Sequence, residues 1–256
     1  MKHLSQVDIA PTVAHMLGIS MPETDGRPIE DVEGWKCRNV ILVIIDSLGY
    51  DFYRWLEPDL KNIPALAKHG LSLRAKAVSN HTSPAIASLL SGLLPEHHRI
   101  FDTEGAKRSP LLSIPEIASS AGMSSAVVME KGGAEIYKGL IEFIGAVPRT
   151  LSPHDFDREI CRLSLEALSS MPRLLVSYFI GIDKASHCDL SSDGFKEAAM
   201  AIDHYIGEIA GAAQPGTMMV VVGDHPIHAG QFKRTHDPYC VALIIGRKGP
   251  GKFDEK

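Results

Sequence analysis

The chain has 256 residues, 45% of them apolar and 22% charged, a balance ordinary for a soluble globular protein and long enough for one large domain. A net charge of −5 with no Lys/Arg cluster argues against nucleic acid as a partner, and no run approaches the roughly 18 apolar residues of a membrane helix. The segment Met1–Gln6 lacks the apolar core of a signal peptide, and Cys37, Cys161, Cys188 and Cys240 show no CxxC spacing. Reduced thiols in a cytoplasmic protein are therefore expected.

In chain order, Asp8 is placed to N-cap a first helix, with Pro11 in its first turn and Gly18 as its stop. The Pro/Gly/acid-rich stretch from Met21 to Gly34 reads as a loop. Val40–Asp46, VILVIID, is a near-continuous apolar run of the kind buried on both faces of a parallel sheet. A helix over Leu60–His69 stops at Gly70. The turn-like string from Ser79 to Pro84 then feeds a helix over Ala85–Leu90.

Ser113 and Glu116 form a capping box that opens a helix ending at Gly122. A strand over Ser124–Met129 and a helix over Phe156–Ser169 follow. A second apolar run extends from Leu174 through Ile182 to Asp183. Phe195, Ala199, Ile202, Ile206 and Ile209 share one face of the next helix. A third run, Met218–Asp224, and a last strand over Val241–Ile245 complete an alternation that predicts a doubly wound α/β fold.

Three apolar strands thus end in aspartate, and ligands of open α/β sheets bind beyond the carboxyl ends of the strands. Asp46, Asp183 and Asp224 would gather at one edge, with His187 four residues after Asp183, His225 directly after Asp224, and His236 beyond. Mixed Asp/His donors suit Zn²⁺, Mn²⁺ or Fe²⁺ better than Ca²⁺ or Mg²⁺. Six such groups exceed one tetrahedral site and suit two metals about 4 Å apart, the arrangement that clamps attacking and leaving oxygens in phosphoryl transfer. Ser47 and Asp189 are placed to orient ligands or to cap loops, whereas His97, His98, His204 and His228 are read as lying outside the ligand set.

These residues resemble the alkaline phosphatase superfamily. Asn39–Asp51, NVILVIIDSLGYD, is similar to its first strand and metal-binding Asp. His81–Ile100, HTSPAIASLLSGLLPEHHRI, is similar to its nucleophile segment, with Thr82 at the nucleophile position ten residues before Gly92. GIDKASHCDL, VVVGDHP and THDP resemble the D-x-x-x-H, D-H and final-His elements. The resemblance implies that Asp183, His187 and His236 hold one metal and that Asp46, Asp224 and His225 hold the other. Thr82 would bridge or face both.

It further implies an alkaline-phosphatase-like α/β domain with a mostly parallel central sheet, helices on both faces and two divalent ions, zinc first and manganese second. Leu4–Asp31 resembles the segment that follows the final histidine in the family, so the chain reads as a circular permutation. Residues 4–31 should then pack beside the last strand within a single domain over residues 1–256, whose metal-site core spans residues 39–246, with Met1 near the C-terminal tail.

The implied reaction is hydrolysis of a phosphate ester, of the phosphodiesterase/nucleotide pyrophosphatase type, through a covalent phospho-threonine at Thr82 that water then cleaves. Asn80, His81 and Lys131 are candidates to hold the phosphate oxygens. The sulfatase pattern C/S-x-P-x-R is not met, because Thr82 and Ile86 stand at its first and last positions. About thirty residues separate Gly92 from the Ser124 strand and about forty separate that strand from Leu174, so no large cap fits. An open site suits hydrolysis better than a mutase, which must retain its phosphoryl group. A phosphomonoesterase or mutase on the same site, and a non-catalytic metal-binding module, are the alternatives.

Overall fold

The computed structural model describes residues 4–32, 34–188, 190–229, 232 and 237–248. In chain order these form α1 (Ile9–Leu17), β1 (Val40–Ile45), α2 (Tyr50–Leu56), α3 (Asn62–Lys68), β2 (Leu71–Lys76), α4 (Thr82–Ser91), α5 (Pro95–His98), α6 (Thr103–Arg108) and α7 (Ile114–Ser120). There follow β3 (Ser125–Glu130), α8 (Lys131–Ala134), β4 (Phe143–Val147), α9 (Pro153–Ser169), β5 (Leu174–Phe179), α10 (Gly181–His187), α11 (Ser192–Ala212), β6 (Met218–Gly223) and β7 (Cys240–Arg247).

The strands make one seven-stranded sheet in the order β2-β7-β6-β1-β5-β3-β4. Only β7 runs antiparallel to its neighbours. Every residue of β1, β5 and β6 is buried, which is what their uninterrupted apolar runs require. One helix layer contains α9, α11 and α3, and α1, α4 and α7 pack together as another. The face of α11 expected from its spacing is the buried one, with Phe195, Ala199, Ile202, Ile206 and Ile209 all in the core.

Three expectations are adjusted. The second apolar run leaves the sheet at Phe179 rather than continuing to Asp183, because buried Asp157 of α9 accepts hydrogen bonds from the backbone N–H groups of Ile180 and Gly181 and turns the chain into α10. A β-carbon at Gly181 would lie 2.3 Å from Asp157 Oδ2, so this cap needs glycine there. Helix α4 starts at Thr82, three residues before the expected Ala85; Pro84 lies in its first turn, where proline is tolerated. Two edge strands add to those expected: β2, LSLRAK, which alternates apolar and polar residues, and β4, FIGAV, a short apolar run.

The N-terminal segment lies against the same sheet. Ser5 bridges Lys76 at the end of β2, and the buried Gln6 side chain donates to Gly223 O while accepting from Val78 N. The Met1–Lys256 neighbourhood expected for a permuted chain lies outside the described residues.

Helix α4 is braced from below by α5. His98 is buried, its Nε2 lies 3.0 Å from Ser88 Oγ, and its Nδ1 accepts from Ile100 N at 2.9 Å. Burial pushes His98 below the usual histidine value, and a proton on Nδ1 would face the Ile100 N–H. The unfolded chain then takes up this proton at higher pH than the folded one, so the contribution is whole above about 6.5 and is lost as pH falls through the folded value. The urea midpoint should therefore drop between neutral and mildly acidic pH, and by less in His98→Gln, although that variant is less stable at neutral pH. An equal drop in the two proteins would show that His98 does not carry the slope.

Candidate metal centre

Because β6, β1 and β5 are adjacent and parallel, their carboxyl ends meet at one edge. Asp46 follows β1 directly, Asp224 follows β6 directly, and Asp183 lies in the first turn of α10 after β5. All three are buried, at 5%, 0% and 7% exposure, and so is His225. Bare carboxylates at such depth are costly unless something else carries them.

Ser47 ties the three strand ends together. Its N–H donates to Asp224 Oδ1 at 3.0 Å, its hydroxyl donates to Asp183 Oδ1 at 3.0 Å, and its Oγ lies 3.4 Å from His225 Nδ1. To do so it takes φ +65°, a conformation that costs a non-glycine residue about 1 kcal/mol or more. The turn that follows crosses the end of β6 closely: a β-carbon at Gly223 would stand 2.1 Å from Leu48 O. The buried Tyr178 hydroxyl of β5 donates to Asp46 Oδ2. His225 Nε2 lies 3.2 Å from Asp46 Oδ1 and 3.7 Å from Asp224 Oδ2, and Thr82 Oγ1 at the head of α4 lies 3.3 Å from the same nitrogen.

Two groups of ligand atoms result, each with all its atoms within 4.8 Å of one another: Asp46, Asp224 and His225, and Asp183, His225 and His228. Beyond the approach of His225 Nε2, buried Asp46 Oδ1 and Asp224 Oδ2 have no hydrogen-bond partner, and buried His228 Nδ1 has none. Burial and the nearby Asp46 charge raise Asp183, and the same two causes push Asp224 well above the usual carboxylate range. Burial opposes the imidazolium of His225, but Asp224 and Asp46 outweigh it and lift its pKa to about 10. Burial and the His225 charge lower His228. Such a cluster must hold protons or cations, and oxygen and imidazole donors with unpaired atoms fit a divalent metal that takes the place of those protons.

The structure thus brings together Asp46, Thr82, Asp183, Asp224 and His225. His187 is one turn after Asp183 with its Nε2 3.5 Å from Asp183 Oδ1, half-exposed and in neither ligand group. His236 and Asp189 lie outside the described residues. Asn80 and His81 are exposed before α4. Lys131 is exposed at the start of α8, its ammonium 3.8 Å from Glu135. Exposed Cys188 joins neither group.

Sequence reasoning set His228 aside, and the structure places it among the ligand atoms. Its signal was a second histidine three residues after His225. Tyr178 could have been found as a phenol inside a wholly buried strand, and Asp157 as an acid on the buried face of α9.

A cavity of about 490 Å³ opens beside Asp46, Thr82 and Asp183 and runs between α4, α7 and β3. Among the described residues no helix is long and apolar enough to cross a membrane.

Residues 38–143 match the sulfatase family. Among solved structures, the chain is similar to phosphonoacetate hydrolase from Sinorhizobium meliloti 1021, with TM-score 0.61 and 14% identity over 81% of this chain and 60% of that one. It is also similar to murine ectonucleotide pyrophosphatase/phosphodiesterase 5, with TM-score 0.54 and 17% identity over 73% and 57% of the two chains. A third match is an alkaline phosphatase superfamily protein from Vibrio parahaemolyticus, with TM-score 0.57 and 14% identity over 94% and 68%. This chain therefore spans under two thirds of the length of the first two. No curated protein matches it.

Asp224→Asn tests the charge argument. The amide oxygen keeps the acceptor for Ser47 N and His225 N, while the crowded charge is removed. The metal-free variant should melt at or above the wild-type temperature. Zinc at a hundredfold excess over Kd should raise wild-type Tm by about 5–10 °C and leave the variant nearly unmoved. A metal-free variant that melts well below wild type would contradict the repulsion argument.

Proposed function

Starting from a chain with the alkaline phosphatase superfamily fold, we propose that the protein is a two-metal hydrolase of phosphate esters, of the phosphodiesterase/nucleotide pyrophosphatase type. The observation that carries this reading is Thr82 Oγ1 at the mouth of an open cavity, 3.3 Å from His225 and over the buried acid cluster. Asp46, Asp224, His225, Asp183 and His228 would hold the metals, with His187 and His236 as the remaining ligands implied by the sequence. When bound, the metals would favour the ionised threonine hydroxyl and stabilise the leaving oxygen.

Thr82 would form a bond to phosphorus as the ester oxygen leaves with its electron pair and takes a proton. Water would then attack the phospho-threonine, returning the hydroxyl of Thr82 and releasing phosphate or its monoester. Because α4 begins at Thr82 and Pro84 carries no N–H, the N–H groups of Thr82 and Ser83 are the first-turn donors without a helical acceptor, and they favour the incoming anion. Ser47 and Tyr178 would hold Asp183 and Asp46 in position, roles that support rather than perform the chemistry.

The family match favours one second reading, sulfate-ester hydrolysis. Against it, Thr82 is not oxidisable to an aldehyde as Cys or Ser would be, and Ile86 stands in place of the arginine. A phosphomonoesterase or mutase would use the same residues.

Elemental analysis of the purified, reconstituted protein should give close to two equivalents of zinc or manganese. A bis-p-nitrophenyl phosphate turnover well above those of p-nitrophenyl phosphate and p-nitrophenyl sulfate should be lost in Thr82→Ala with the metal retained. Unchanged turnover in the variant would remove Thr82 as nucleophile, and metal binding without turnover of any ester would favour the non-catalytic module.

We also propose that the chain is permuted. The support is the seating of residues 4–32 against β2 and the end of β6. Ser5 pairs with Lys76 opposite Cys240, at the far end of β7 from Lys248. Moving residues 4–32 behind Lys248 through a linker that spans β7, about 25–30 Å, should then give a folded, zinc-responsive protein. Failure of that rearranged chain to fold would count against permutation.

A further inference from the structure

The cavity beside Thr82 has two chemically distinct parts. Its polar end is the acid cluster with Thr82. Away from that end an aliphatic stretch, built from Ile86 and Leu90 of α4, Ile100, Leu111, Met129 of β3 and Ile136, is interrupted by polar side chains including Ser83, Ser91, Thr103 and Glu116. Leu90, Ile100 and Met129 are buried, so this surface is already withdrawn from water.

The polar side chains from α7 and the turn after α8 are committed to one another. Ser113 donates through both its N–H, at 2.7 Å, and its hydroxyl, at 2.6 Å, to Glu116 Oε2, and its hydroxyl lies 3.4 Å from the Tyr137 hydroxyl. They close the capping box of α7 and leave little to offer a guest. A ribose or a base laid against the aliphatic stretch would bury its own donors and acceptors without partners. The two cationic lining residues are exposed: Lys184, and Arg149, 80% exposed and 3.6 Å from Glu130. Leu151, which also lines the cavity, is exposed to solvent.

From this geometry we infer that the site takes phosphoric esters bearing an aliphatic chain, with the anionic head at Thr82 and the chain in the cavity, in preference to nucleotides. This rests on the proposed phosphate-ester reading and narrows its substrate class. A volume of about 490 Å³ falls in the usual range of small-ligand pockets, and an aliphatic guest would gain from leaving water without requiring any hydrogen bond from the wall.

The test is calorimetric binding of alkylphosphonates, from methyl to decyl, to the zinc-reconstituted full chain below their micelle concentrations. These probes are not turned over, so the readout is independent of catalysis. Affinity should rise by about two- to fourfold per methylene until the cavity is filled, and octylphosphonate should bind more tightly than adenosine monophosphate. Ala106→Trp, which projects into the cavity from α6, should flatten the dependence on chain length in a protein whose melting confirms that it is folded.

Affinity independent of chain length, tighter binding of the nucleotide, or binding of no member of the series would each overturn the inference. Turnover of p-nitrophenyl alkyl phosphates separates the two levels. Chain-dependent binding without turnover would leave the aliphatic site standing and remove the hydrolase. Turnover with no chain dependence in binding would do the reverse.

Discussion

Mutual repulsion among three buried carboxylates is the constraint around which this molecule is arranged. Asp46, Asp183 and Asp224 converge where water is nearly excluded, and folding gives them too few hydrogen bonds to be content as anions. The polypeptide answers with geometry. Ser47 accepts an unfavourable backbone angle to bond two of the acids, Tyr178 takes the third, and Gly223 allows the turn after β1 to lie across the end of β6. Each device fixes orientation while leaving the charge uncompensated. The compensation left open is the opportunity for a cation.

The sheet order explains why these acids meet at all. Strands β6, β1 and β5 are neighbours in space but far apart in sequence: β2, β3 and β4 intervene between β1 and β5, and helices α10 and α11 between β5 and β6. Parallel pairing then forces their carboxyl ends to one edge. The N-terminal segment joins this arrangement from outside. Through one buried side chain, Gln6 connects the carbonyl of Gly223, beside Asp224, to the N–H of Val78, on the loop leading to Thr82. Removing that glutamine would loosen the ligand loop and the nucleophile loop relative to each other.

Much of this was legible in the sequence, and the reasons differ by element. β1, β5 and β6 announced themselves because strands buried on both faces must be apolar throughout, and the aspartates that end those runs break the pattern sharply. α11 was legible from its spacing and α7 from its capping box. The edge strands β2 and β4 were passed over because each is only five or six residues long, although LSLRAK alternates as a half-exposed strand should and FIGAV is largely apolar. The end of β5 was misjudged because the residues after Phe179 remain apolar; what stops the strand is Asp157, over twenty positions earlier, acting through two backbone amides. Local pattern carries no trace of such a contact. His228 illustrates the same limit: its ring approaches His225 and Asp183 only after the chain beyond β6 has folded back.

The chemistry of the site and that of its cavity divide along the same structural line. Strand ends supply charge, because only there can several polar side chains converge without breaking the sheet. Helix α4, strand β3 and the segments carrying Ile100, Leu111 and Ile136 supply apolar surface. Thr82 stands at the junction, the first residue of α4 and a neighbour of His225. A molecule bound across that junction would present an anion to one side and a hydrocarbon to the other. The two sides recognise different parts of it, so changes on the cavity wall should alter which esters are selected while leaving the acid cluster intact.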